Sequence, residues 1–116
     1  MINYEWKLIS IKVDSDPERN LQSVIIQTYW EVVGTNENGL IGRFMGALPF
    51  DITQVDPNNF IPVENLNEEI VLGWIRTLVE ADEKYYEHIL GKIEKQIIDQ
   101  IKIEYTANSF PWLSKG

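Results

Sequence analysis

Few residues here could do acid–base or metal chemistry. His88 is the single histidine of the 116-residue chain, and it follows Glu87. Such a pair could act as a general base, but no nucleophile accompanies it, and it flanks an apolar helical stripe. A surface or structural role is expected. Asp14-x-Asp16-x-Glu18 opens like a cation loop, which supplies oxygen ligands at alternate positions. It lacks the turn glycine and the distant bidentate glutamate, and Pro17 stiffens it. Glu80, Asp82, Glu83 and Glu87 cluster without the histidines a transition-metal centre in a helical scaffold would add. A solvated charged junction is the expectation there. No Gly-x-Ser-x-Gly, Gly-Lys-Ser/Thr phosphate loop or His-Glu-x-x-His occurs. The absence of cysteine excludes disulfides, thiolate zinc ligands and thiol nucleophiles. These residues predict no catalysis, no cofactor and no metal.

The remaining candidates are apolar. Ile89, Ile93, Ile97 and Ile101 step by four, with Leu90 and Ile98 widening the seam. This seam either packs on the chain's own sheet or forms a helix–helix contact in a homo-oligomer. Phe110-Pro111-Trp112-Leu113 is apolar and extended, because proline fixes its own φ and restricts its predecessor. It either docks on its own core or anchors in another subunit, where a tryptophan after proline loses little entropy on binding. Phe110, Pro111, Trp112, Leu113, Ile93, Ile97 and Ile101 are therefore the candidate partner-binding residues.

These groups need a scaffold, and composition supplies one. Hydrophobic residues make up 44% and charged residues 24%, with four Trp, five Tyr and four Phe, enough for one core rather than a disordered chain. The expected organisation is a single domain over 1–105 and an extended tail over 106–116. No apolar run approaches membrane-spanning length, and the first residues have no basic and apolar leader pattern. Neither secretion nor membrane insertion is expected. The net charge is −8. It concentrates in residues 51–87, where nine acids face two bases; residues 88–116 hold three acids and four bases. A negative field disfavours direct binding to nucleic acid or anionic lipid.

Residues 3–13 read as a strand with Tyr4, Trp6 and Leu8 on one face; Ile9, Ile11 and Val13 then change parity, which signals a bulge or two-sided burial. Residues 14–22 form a polar connection. Residues 23–33 are rich in β-branched and aromatic types and make the strongest strand. Asn38-Gly39 marks a hairpin turn. A third strand follows over 40–48, where Gly42 and Gly46 leave room for a large neighbour such as Trp6 or Trp30. Residues 49–64 hold three prolines and several apolar side chains, so they should wrap the domain. Asn65, with Glu68 three residues on, is the expected cap of a helix whose stripe is Ile70, Val71, Trp74, Ile75, Leu78 and Val79. A second helical pattern runs over about 84–103. One kinked helix and a two-helix hairpin are both allowed, and two helices are expected. The fold class is α+β: a three-stranded antiparallel meander followed by two helices on one face of the sheet.

The strand ending Trp30-Glu31-Val32-Val33-Gly34-Thr35, the helix start Asn65-Leu66-Asn67-Glu68-Glu69-Ile70-Val71-Leu72-Gly73-Trp74-Ile75 and the closing Phe110-Pro111-Trp112 together resemble a group of small uncharacterised tailed-bacteriophage proteins, of the cyanophage and marine-phage type. Asn67 stands where that group has threonine and Ile70 where it has glutamine. The resemblance covers most of the chain. It implies a phage context and transfers no catalytic residue. The expected function is then binding to other proteins, as a minor virion or accessory component or as a host-directed protein, in the virion or the infected-cell cytoplasm. An alternative is an acidic, DNA-mimic-like inhibitor of a host nucleic-acid-binding protein, using the acids of 51–87.

Overall fold

The alternation of β-branched and aromatic residues produces three antiparallel strands in a computed structural model that describes residues 1–58, 60–101 and 107–112. They are β1 (Asn3–Asp16), β2 (Leu21–Thr35) and β3 (Ile41–Pro49), ordered β1-β2-β3. Both long strands outrun their sequence limits. The expected connection at 14–22 shrinks to one turn of 3-10 helix at Pro17–Arg19, closed by Asn20 in the left-handed region at φ 57°. Asparagine tolerates that conformation better than most residues, so the strands can run to Asp16 and restart at the fully buried Leu21.

The parity change in β1 is a bulge. Leu8 pairs with Trp30 and Ser10 with Tyr29, leaving Ile9 as the extra residue. One inserted residue returns the following side chains to the original face, so Ile11 joins Tyr4, Trp6 and Leu8 against the core while Ile9 is exposed. The β2–β3 hairpin closes through Asn36, whose Oδ1 accepts from the amides of Asn38 and Leu40. Gly39 there takes φ 81°, which a residue with a Cβ rarely adopts.

Residues 50–66 wrap as their composition demands. The Arg19 guanidinium donates to the carbonyls of Ile52 and Val55 at 2.8 and 2.5 Å, tying this segment to the β1–β2 turn. Phe50, Val63 and Leu66 pack against the core.

Two helices follow, α1 (Glu68–Ala81) and α2 (Glu83–Gln100). The break falls at Asp82, whose extended backbone ends α1 and whose carboxylate accepts from the Tyr85 amide at 3.2 Å. Asn67, not Asn65, caps α1, accepting from the Ile70 amide at 2.9 Å. Asn65 is spent on a preceding 3-10 turn, Val63–Asn65. The α2 pattern ends at Gln100 rather than 103; residues 102 and 103, and the 105/106 boundary, lie outside the described residues.

The core lies between the sheet and both helices. Trp30, Val32, Ile75, Ile89 and Ile93 are fully buried within it. Trp30 stacks on Trp6 with ring centres 5.4 Å apart, and the Arg76 guanidinium lies over the Trp6 ring at 5.4 Å. Thr28, the one fully buried polar residue described, donates its hydroxyl to the Leu48 carbonyl at 2.9 Å.

Helix α2 also closes the sheet's β3 edge. The Gln96 side chain donates to the Arg43 carbonyl and accepts from the Arg43 amide, each at 2.7 Å, imitating a strand partner. Gln100 donates to the Ile41 carbonyl at 2.7 Å. An uncovered strand edge invites pairing with other chains. Gln96→Leu is expected to lower stability by about 1 kcal/mol and to raise aggregation on heating, read by urea denaturation and light scattering.

Candidate functional site

Several of the acid–base and metal-ligand candidates make local contacts. The His88 and Phe44 rings are perpendicular, with centres 5.9 Å apart. Asp14 accepts from the neighbouring Ser15 amide. Glu80 takes the Arg76 guanidinium at 3.1 Å, and Asp82 caps α2. Among the described residues, no three His, Asp or Glu side chains are grouped to hold a metal ion. The resolved shifts in ionisation have local causes. Burial pushes the Tyr4 hydroxyl up, helped by the charge of Glu94 and by Tyr86. Burial, then Asp82, pushes up Tyr85. The hydroxyl and amide of Thr53 hold the exposed Asp51 carboxylate below its ordinary value, and Asp51 thereby caps the Ile52–Gln54 turn.

The apolar candidates divide. Ile93 and Ile97 are buried against the chain's own sheet, where the Ile93 side chain lies over Gly34 and Gly42. Ile101, at the end of the same stripe, is 55% exposed and faces outward. In the tail, Phe110 and Trp112 stack with ring centres 4.6 Å apart across Pro111, and Trp112 stays 64% exposed. Leu113 lies outside the described residues. The structure therefore gathers Phe110, Pro111 and Trp112 in one place, and separates them from Ile93 and Ile97.

Helix α1 leaves part of its apolar stripe at the surface. Its apolar residues form two parallel stripes. Positions four apart on a helix drift by only about 40°, so Val71, Ile75 and Val79 line one stripe and Ile70, Trp74 and Leu78 the next. The first stripe, with Leu72, is buried. The second is not: Trp74 is 37% exposed and Leu78 51%. The Trp74 and Phe50 rings are steeply inclined to each other, with centres 6.4 Å apart. The stripe's breadth was the available signal, because a single helix face on a three-stranded sheet cannot bury so wide an arc.

Beside Trp74 opens a cleft of about 420 Å³, floored by Val24 and Ile25 and walled by Val55, Phe60, Ile61 and Leu66. Asp56 stands on its wall as the charged member. The volume falls in the range of about 300–1,000 Å³ that accommodates a drug-sized group. Nothing in the sequence periodicity announced it, because it is assembled by the irregular 50–66 segment.

No helix among the described residues is long and apolar enough to cross a membrane. No curated protein and no solved structure matches the chain. One family profile does match, over residues 1–112. The chain thus belongs to the family designated domain of unknown function DUF7936.

Proposed function

We propose that this is a phage-encoded protein that works by binding other proteins and performs no catalysis, as a minor virion component or a host-directed factor. The phage context rests on the resemblance of its strand, helix-start and tail motifs. The observation that carries the binding role is the second stripe of α1. Ile70, Trp74 and Leu78 lie partly uncovered beside an open apolar cleft, with Ile61 45% exposed on its wall. Apolar side chains gathered in this way, unlike scattered ones, mark interaction surfaces.

The test is affinity capture from infected-cell lysate with the wild-type chain and with Leu78→Asp, at low and high salt. Leu78 is half exposed, so Leu78→Asp should leave the chain folded at a cost of about 1–2 kcal/mol, from lower helix propensity and a negative charge in the last turn of α1, which a thermal melt checks. Capture should persist at high salt and disappear with Leu78→Asp. Capture that collapses with salt and ignores Leu78 would instead favour the acidic-mimic reading, since charge-driven binding is screened.

A further inference from the structure

We propose that two copies of this chain pair antiparallel through the open edge of β1, centred on Trp6, and so join their sheets into one. The inference goes beyond the α1 stripe: it concerns a different surface and names a second copy of this chain as its occupant.

The two edges of the sheet differ. The β3 edge is occupied by Gln96 and Gln100 of α2. On the β1 edge, among the described residues, no group outside the sheet hydrogen-bonds the backbone of residues 3–8. Hydrogen bonds alternate along an antiparallel pair, so each residue turns its amide and carbonyl toward one side only. The Phe50 amide donates to the Ile26 carbonyl, and the Asn36 amide to the Leu40 carbonyl. The β2–β3 register runs unbroken between these bonds. Even-numbered residues of β2 therefore bond β3, and Thr35, Val33 and Glu31 bond β1. The same phase turns Arg43 and Ile41 away from β2, where Gln96 and Gln100 reach them. On β1 the partners of Thr35, Val33 and Glu31 are Asn3, Glu5 and Lys7. The amides and carbonyls of Tyr4, Trp6 and Leu8 thus point out of the sheet. Register shifts follow at Leu8/Ser10, Lys12/Val13 and Asp14/Asp16, and bulges twist an edge away from an incoming strand. The run able to pair is residues 3–8.

Register and charge select a second copy. Pairing must set outward-pointing residues against each other and keep the core face on one side. For β1 on itself, the twofold registers that engage two or more of Tyr4, Trp6 and Leu8 are centred on Glu5, Trp6 or Lys7. Centring on Glu5 sets it against the partner's Glu5, and centring on Lys7 sets it against the partner's Lys7. Like charges directly opposite are destabilising. Centring on Trp6 sets Glu5 against the partner's Lys7, and Lys7 against the partner's Glu5. These are the non-hydrogen-bonded positions, where side chains come closest. The same register makes the most hydrogen bonds, because Trp6 meets the partner's Trp6 and Tyr4 meets the partner's Leu8. Glu5 and Lys7 are both exposed, and neither is ion-paired among the described residues. A lysine on an edge deters incoming strands; a second β1 brings a carboxylate to it in register. The contact is isologous and closes as a twofold dimer.

The test is sedimentation velocity on the full-length chain at low salt over a wide concentration range, with thermal melts as a folding check. Wild type should pass reversibly from 13.5 kDa to twice that mass and no further. Glu5→Lys and Lys7→Glu each place like charges opposite one another on both sides of the axis. Each should weaken dimerisation by about tenfold or more while the monomer stays folded. Mixed at equal amounts, the two variants should dimerise with each other as wild type does with itself, and the chain carrying both reversals should recover dimerisation alone. Leu78→Asp should dimerise like wild type. A monomeric wild type, reversals without effect, or reversals that neither mixing nor the double substitution rescues would overturn the proposal. So would a dimer lost with Leu78→Asp, which would place the contact on the α1 stripe. Failure of capture through Leu78 with edge pairing intact removes the binding reading and leaves this inference standing.

Discussion

Gly42→Ala is expected to lower the unfolding free energy by about 3 kcal/mol, the upper end for overpacking a core. A Cβ at Gly42 would sit 2.5 Å from the Ile93 carbonyl oxygen and 3.1 Å from Ile93 Cγ2. The first of these atoms is backbone, so no rotamer change relieves the clash. Helix α2 would have to lift from β3, and the paired Gln96–Arg43 hydrogen bonds would stretch with it. Two internal controls carry the opposite sign. Gly73 and Gly91 lie within α1 and α2 with nothing near their missing Cβ. Alanine at either position should stabilise by about 0.5–1 kcal/mol through helix propensity alone. Urea denaturation of the three variants reads both signs. Equal effects at all three positions would refute the close approach of α2 to the sheet.

Trp30→Ala should cost about 3–5 kcal/mol, as other large-to-small changes of a fully buried aromatic do. That is a large share of the roughly 5–15 kcal/mol that holds a domain folded. The ring is held by volume and stacking, between Trp6 at 5.4 Å and Phe44 at 6.2 Å. Its Nε1 has no hydrogen-bond partner among the described residues, so the loss on truncation is one of packing. Gly46 provides the space: a Cβ there would overlap the six-membered part of the Trp30 indole. Gly46→Ala is therefore destabilising by about 1–3 kcal/mol with Trp30 present, and much less so with Trp30→Leu. The double-mutant cycle should show a coupling of about 1 kcal/mol or more, since the two residues touch. Strict additivity would separate them.

The fit of Gly46 to Trp30 shows what was legible in the sequence. Alternate glycines in a strand, with surplus aromatics nearby, identify a packing gap without any coordinates. The parity change at Ile9 likewise allowed a bulge or two-sided burial, and the register shift between Leu8 and Ser10 shows the bulge. The Asn38-Gly39 turn followed from equally local chemistry, whereas the sequence allowed one kinked helix or two and the structure has two. The misplaced cap had a local cause too. Asn65 and Asn67 are both competent, and the choice fell to the 3-10 turn at Val63–Asn65, which periodicity does not reveal.

The candidate site was less legible, for a physical reason. Periodicity tells which α1 residues are apolar; it does not tell how much surface is available to cover them. With α2 seated along β3, the second α1 stripe has too little sheet left to cover it, and Ile70, Trp74 and Leu78 stay partly in water. The isoleucine seam shows the converse. Ile93 and Ile97 had two allowed readings, and the close approach of α2 to Gly34 and Gly42 placed them in the chain's own core. Gln96 and Gln100 look like ordinary solvated helix residues until the lateral position of α2 makes them partners of a strand edge.

The central claim is that this protein acts in complexes. On the phage reading proposed above, the most direct measurement is quantitative mass spectrometry of gradient-purified virions, beside size-fractionated infected-cell lysate. The account predicts the chain in the particle at stoichiometric copy number, or in lysate fractions well above the 13.5 kDa of a single chain. Absence from the particle together with elution of all the chain as a free 13.5 kDa species would contradict it.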